Sequence, residues 1–199
     1  MPVSQRLILA TRNLHKTMEI RTMVGDNFDV HDATEFPDCS EIEETGVTFL
    51  ENARLKALGI SRCVEGWVLS DDSGLEVDVL DGAPGVGSSS YGGEEGNHAK
   101  NNARLLLEMA GKTNRRARFR CVMVLARDGV EIENFSGAVE GQLIESPHGE
   151  GGFGYDSLFK PTGHHQTFAE LDLEIKNTLS HRSRALVKVI AYLQGQHAK

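Results

Sequence analysis

Four groups of residues carry side chains able to do chemistry together. The first is acidic. Asp71 and Asp72 directly follow the apolar run WVLS, residues 67–70, and Glu43 and Glu44 stand ahead of an apolar-periodic stretch. Side chains alternate across a strand, so two adjacent aspartates face opposite ways and do different jobs. One of them, with a glutamate, suits magnesium, which takes one or two carboxylates and completes its shell with water and substrate phosphate oxygens. The plainer alternative is that Asp72 caps a turn while Glu43 and Glu44 complement the positive end of a helix.

The second group is TRNLHK, formed by Thr11, Arg12, Asn13, Leu14, His15 and Lys16. It lies where a short apolar strand gives way to a helical pattern. Backbone N–H groups at such a junction attract anions, and Lys16 adds a mobile point charge, although the GxxxxGK[ST] phosphate loop is absent. The third is GGFGYD, residues 151–156. Its glycines let backbone approach a ligand, and Phe153 or Tyr155 could stack on a planar base; an ordinary turn over core aromatics is the alternative. The fourth is KNTLSHRSR, residues 176–184. With Ser180 as N-cap, His181, Arg182 and Arg184 fall in the first turn of a helix, where the macrodipole disfavours cations. Either nearby acids compensate or an anionic or keto-bearing ligand does. The ligand is preferred, because a local rule is broken without local gain.

The elements that must position these groups follow from periodicity. LILAT, residues 7–11, reads as a buried strand and residues 13–24 as a helix. Phe49, Leu50, Ala53, Ala57, Leu58 and Ile60 recur at helical spacing, with Glu44 and Thr45 placed just before the first turn. Residues 67–70 form a second strand, and residues 99–111 a helix stopped by Gly111. RFRCVMVLA and VEIENFSGAVEG predict two strands joined around Asp128 and Gly129. Thr167 and Glu170 have capping-box spacing, and Leu186, Val189, Ile190 and Leu193 mark the apolar side of a last helix. Helices mixed with both hairpin and helix-connected strands predict an α/β or α+β domain on a mixed sheet.

Composition sets the limits. The chain has 199 residues, a length for one domain, 1–199, with two lobes possible. No apolar run is long enough to span a bilayer, and the first residues lack the pattern of a secretory signal, so a cytoplasmic protein is expected. Cys39, Cys63 and Cys121 are odd in number, widely spaced and in no CxxC pattern; they are expected to be reduced and structural. The formal charge of -8 repels polyanions. RRARFR, residues 115–120, is the one basic run, and it leads into an apolar strand, so Arg118 and Arg120 should form a solvated face.

Six blocks, TRNLHKTMEI, EETGVTFLENARLKA, SDDSGLEVDVLDGAPGV, GGFGYD, TFAEL and SHRSRAL, occur in order over nearly the whole chain. Together they resemble the Ham1/RdgB-type inosine triphosphate pyrophosphatase family. The resemblance implies an ITPase-like (Maf/Ham1) α/β fold, with an elongated mixed sheet and flanking helices forming two lobes around a cleft, and a homodimer. It implies magnesium-dependent hydrolysis of ITP, dITP and XTP to the monophosphate and pyrophosphate, removing deaminated purines from the nucleotide pool. Carried over by position, Thr11, Arg12, Asn13, Leu14, His15, Lys16 and Lys56 surround the triphosphate, Glu44 and Asp72 hold the metal, and Asp72 accepts the proton of the attacking water. Ser73 contacts substrate, Phe153, Gly154, Tyr155 and Asp156 form the base loop, and Lys176, His181 and Arg182 complete the nucleotide contacts.

Three departures are visible. Ser88, Ser89, Ser90 and Tyr91 stand where relatives commonly read Ser-Ala-Arg-Tyr, so any role of that arginine is lost or supplied elsewhere. Ser157 replaces the usual proline and Ile175 the usual glutamate. Three rivals remain. An aspartyl-phosphate phosphatase would release orthophosphate, but that chemistry wants aspartates two apart. A noncatalytic nucleotide-binding module would show no metal-dependent turnover. A Maf-like pyrophosphatase is disfavoured by the SHR and GGFGYD blocks.

Overall fold

The computed structural model describes residues 5–196; residues 1–4, on which the expectation about a leader partly rests, and 197–199 lie outside the described residues. In chain order the elements are β1 (Gln5–Leu9), α1 (Leu14–Val24), β2 (Phe28–Asp32), α2 (Phe49–Ser61), β3 (Trp67–Val77) and α3 (His98–Glu108). Then follow β4 (Arg116–Arg127), β5 (Val130–Leu143), β6 (Phe159–Pro161), α4 (Leu173–Leu179) and α5 (His181–Gln196). The six strands form one sheet in the order β2-β1-β3-β4-β5-β6. β1 runs parallel to β2 and β3, whereas β5 and β6 are antiparallel, so the sheet is mixed as the alternation of elements predicts. No helix among the described residues is long and apolar enough to cross a membrane.

The chain divides into two compact units, one built from residues 1–72, 121–136 and 183–199, the other from 73–120 and 137–182. In the first, alternation along the strands sends Leu7, Leu9, Leu69, Cys121, Met123 and Leu125 to one side, where Ile20 and Val24 of α1 and Leu186, Val189 and Leu193 of α5 cover them. The intervening Ile8 and Val68 pack with Ile60, and Val124 and Ala126 with Ala53 and Ala57, both against α2. This is why the strands read as continuous apolar runs. In the second unit Leu75, Val77, Phe119, Val139 and Phe159 form a core with Leu105 of α3 and with Met109, its C-cap. The β4–β5 hairpin turns at Asp128 and Gly129, both at positive φ, as the tight two-residue connection requires.

Several elements differ from expectation for identifiable reasons. β3 runs eleven residues instead of four, because its polar middle finds partners inside the protein rather than in a turn. α2 begins at Phe49, capped by Thr48 and Glu51, which exchange hydrogen bonds in a capping box; Glu44 and Thr45 therefore lie ahead of the helix and do not complement its dipole. The similar spacing at Thr167 and Glu170 only closes a turn, since Glu170 N and Leu171 N both donate to the Thr167 carbonyl and α4 starts at Leu173. Cys39 and Cys63 are not reduced thiols but a disulfide, with Cα atoms 5.8 Å apart. Their 24-residue separation hid this, since the loop leading into α2 and the exit from α2 return to one place. Cys121 is a buried thiol in β4 outside the disulfide, as expected. Arg118 pairs with Asp78 and Glu140, and Arg120 with Glu76, which bears out the solvated basic face.

Candidate active site

In the first unit, the entry to α1 is organised by its own side chains. Asn13 is the N-cap; its carboxamide oxygen accepts from His15 N at 3.0 Å and Lys16 N at 3.3 Å, so two N–H groups expected to greet an anion are engaged locally. Thr11 Oγ1 accepts from Asn13 N, and Arg12 donates to the Cys39 carbonyl at 2.8 Å. Leu14 and His15 are exposed. Lys16 turns inward, its Nζ 3.2 Å from Asp71 Oδ2.

Alternation along β3 gives the neighbouring acid different company, as predicted. Asp72 is 8% exposed, and its Oδ1 lies 3.7 Å from Lys56 Nζ on α2. The same ammonium donates to Glu44 Oε2 at 2.8 Å. One cation thus contacts both carboxylates assigned to the metal. Burial lowers the pKa of Lys56, but Asp72, Asp71 and Glu44 raise it further, and the net shift is upward, so the lysine stays charged. Burial pushes the Asp72 carboxyl above the ordinary aspartate value despite the opposing pull of Lys56 and Lys16, with Glu44 adding to the rise. The pair is unsymmetrical because Lys56 faces three acids while Asp72 also loses hydration. A carboxyl displaced toward neutrality is a usual property of a general base.

The donor set fits a magnesium ion. Glu44 and Asp72 offer hard carboxylate oxygens to one positive group, and among the described residues no three or more His, Cys, Asp or Glu side chains are grouped so that they could hold a metal ion by themselves. Two carboxylates with the remaining positions left to water and phosphate is the arrangement magnesium accepts.

In the second unit, residues 151–156 fold around Asp156, whose Oδ2 accepts from Phe153 N at 2.9 Å and from Lys176 Nζ at 2.8 Å. Gly152 sits at φ +70, where a Cβ would fall 2.2 Å from that oxygen, so only glycine serves. Lys176 Nζ and Arg182 Cζ stand 5.2 and 5.9 Å from the Phe153 ring centroid. Arg182, 2% exposed, donates to Ser73 Oγ at 3.0 Å, and His181 stacks on Phe119. The cations at the start of α5 thus split: Arg182 and His181 turn inward and Arg184 is exposed. Gly154 accepts from Asn102 through its carbonyl. Tyr155 is no stacking platform. Its ring is 3% exposed in the core, its hydroxyl donates to the Ser88 carbonyl at 2.8 Å, and burial drives its pKa up.

Next to Ser90 in the chain, Tyr91 is met by an arginine. Arg104 on α3 lies 4.3 Å over the Tyr91 ring centroid and donates to the Tyr91 carbonyl. Two residues escaped sequence reasoning: Ser88, which accepts from Leu75 N through its hydroxyl, and Asn52, which contacts Asp72. The i, i+4 spacing of Asn52 and Lys56 on α2 was the available signal, since it places both on one helix face.

The model of the Ham1 family matches residues 7–192. The chain belongs to the Ham1 family. Among its relatives, a dITP/XTP pyrophosphatase from Exiguobacterium sp. is 45% identical over 195 residues, 96% of this chain and 100% of the relative. One from Geobacter sulfurreducens is 46% identical over 195 residues, 96% and 98% of the two chains. The Staphylococcus aureus Ham1 protein superposes with a TM-score of 0.86 at 35% identity, covering 96% of this chain and all of that one. A HAM1 protein from Coxiella burnetii gives 0.85 at 37%, covering 96% and 99%. These Ham1 relatives share the mixed α/β architecture over nearly the full chain, which bears out the expected mixed α/β, Ham1-like fold.

Proposed function

We propose that this protein hydrolyses noncanonical purine nucleoside triphosphates, ITP, dITP and XTP, to the monophosphate and pyrophosphate, with magnesium as cofactor. The observation that carries the reading is the contact of Lys56 with both Glu44 and Asp72: the lysine assigned to phosphate and the acids assigned to metal share one place. Full-length relatives named dITP/XTP pyrophosphatase support the same substrate class.

In this mechanism Lys16 and Lys56 neutralise charge that grows on the departing pyrophosphate, a stabilisation strongest where water is sparse. Glu44 and Asp72 would hold magnesium, which when bound lowers repulsion between phosphate oxygens and the incoming nucleophile. Asp72, already biased toward protonation, takes the proton of the attacking water. On the base side, Phe153 offers a ring and Arg182 a donor. A 6-keto purine presents an acceptor to that donor, whereas adenine presents an amino group and leaves it unmatched, a mismatch worth about 10⁴ or more when buried. Thr11, Arg12, Asn13, Leu14 and His15 then act through the backbone and caps that aim Lys16, and Ser73, Gly154, Tyr155, Asp156, Lys176 and His181 hold the base-side groups in place.

We assign the activity to the cytoplasm, where the nucleotide pool lies, and to a homodimer, which sedimentation of the purified protein tests. The deciding experiment incubates the protein with magnesium and a panel of nucleoside triphosphates. Monophosphate plus pyrophosphate from ITP, dITP and XTP, with little from ATP, is expected. Orthophosphate, or binding without turnover, overturns the reading.

A further inference from the structure

Asn52 lies on the buried side of α2, one turn before Lys56, and is 4% exposed. Its carboxamide makes two contacts of opposite kind. Nδ2 donates to Asp72 Oδ2 at 3.2 Å, and Oδ1 accepts from Gly46 N at 2.8 Å. The orientation is fixed by chemistry: a backbone N–H can only donate, so the oxygen must face Gly46 and the NH₂ must face the carboxylate. Gly46 is itself packed tightly there. A Cβ on it would lie 2.7 Å from Asn52 Oδ1 and 2.6 Å from Glu51 Cβ. The neighbouring Val47 N and Thr48 N both donate to Glu51 Oε2, so the segment following Glu44 is fastened to the start of α2 at three successive N–H groups. The rest of the Asp72 carboxylate faces Lys56, which also holds Glu44.

From this bridging geometry we infer that Asn52 is a positioning residue of the reaction: through one amide it fixes the rotation of the Asp72 carboxylate and ties it to the loop that carries Glu44. The inference rests on the roles given to Asp72 and Glu44 under the proposed function. A buried carboxylate with one oxygen held by a neutral donor presents its other oxygen in a defined direction, and a base or metal ligand needs that direction more than it needs affinity. Asn52 touches neither substrate nor metal in this scheme.

The test uses Asn52→Asp in the full chain. This change keeps size and the acceptor for Gly46 N but replaces the donor facing Asp72 with a carboxylate oxygen. It is expected to lower kcat about 10- to 100-fold, the usual range for a residue orienting a ligand or base, with KM for ITP changed less than threefold and a cooperative melt retained. Gly46→Ala, which presses on the same amide from the loop side, should shift kcat in the same direction with KM again held. A kcat for Asn52→Asp within threefold of wild type, or a loss seen equally in kcat and KM, overturns the positioning role. Asp72→Asn is measured alongside. If it is inactive while Asn52→Asp is fully active, only the role of Asn52 falls; if it retains turnover, the role of Asp72 falls and takes this inference with it.

Discussion

At the scale of single residues, each unit sets opposite charges against one another, and in the candidate positions these charges already satisfy each other. Lys16 holds Asp71, Lys56 holds Asp72 and Glu44, and Lys176 holds Asp156. Such pairs are costly to break one-sidedly when buried, so conservative changes are the informative ones. Asp72→Asn keeps shape and packing but removes the proton acceptor. Turnover should fall about 10²- to 10⁴-fold, while nucleotide binding, followed by calorimetry, stays measurable; activity within a few-fold of wild type would remove Asp72 from its role. Gly152→Ala acts on the loop of the second unit. The new methyl group has no room beside Asp156 Oδ2, so the loop must open; KM for ITP should rise by about tenfold, one missing contact's worth, and the melting temperature should fall as well, since alanine is strained at this φ. An unchanged KM would detach this loop from base recognition.

At the scale of elements, the strand and helix termini carry the argument. His31, on β2, is flanked by Glu35 and Asp29, at 2.7 and 3.1 Å from its ring nitrogens. The hydrogen bond to Glu35, then that to Asp29, raises its pKa above 6.5, against a smaller opposing effect of burial. The protonated ring is therefore bound more tightly in the folded state. Its stabilisation is fully present below the unfolded pKa of about 6.5 and is lost as pH climbs through the higher folded value. Because the groups are partly exposed, the effect should stay below about 1 kcal/mol. Urea melts of His31→Gln against wild type should diverge at pH 6 and converge at pH 9; a constant difference refutes the linkage. These termini also mark where the sequence was legible. The apolar runs of β1 and β4, the stripe of α5 and the turn at Asp128 and Gly129 were readable because each is set by local burial or backbone conformation. The length of β3 was not, since Asp71, Asp72 and Ser73 are kept in a strand by Lys16, Lys56 and Arg182, residues remote in sequence. The base-stacking reading of Tyr155 failed likewise, because only the fold shows its ring committed to the core.

At the scale of the whole molecule, the Cys39–Cys63 disulfide is the feature that acts on the unfolded chain as much as on the folded one. It closes a loop with a sequence separation of 24 that contains Glu44, Asn52 and Lys56. Loop-closure entropy for a crosslink of that span corresponds to about 3 kcal/mol at room temperature. The groups that meet at Asp72, however, are held by their own contacts: Lys56 by its position on α2, Glu44 by Lys56, and the following segment by Asn52 and Glu51. Opening the bridge should therefore lower global stability without dispersing the site. In the cytoplasm proposed above for this activity the bridge would meet reducing thiols, with Cys63 exposed and Cys39 buried. The Cys39→Ser/Cys63→Ser double variant should lose about 3 kcal/mol in denaturant unfolding yet hydrolyse ITP at 25 °C within about twofold of the oxidised protein. A kcat that collapses while the variant remains folded would mean that the crosslink, not the side-chain contacts around α2, holds Glu44 in position, and Arg12, which donates to the Cys39 carbonyl, would be the first residue to test as the connection.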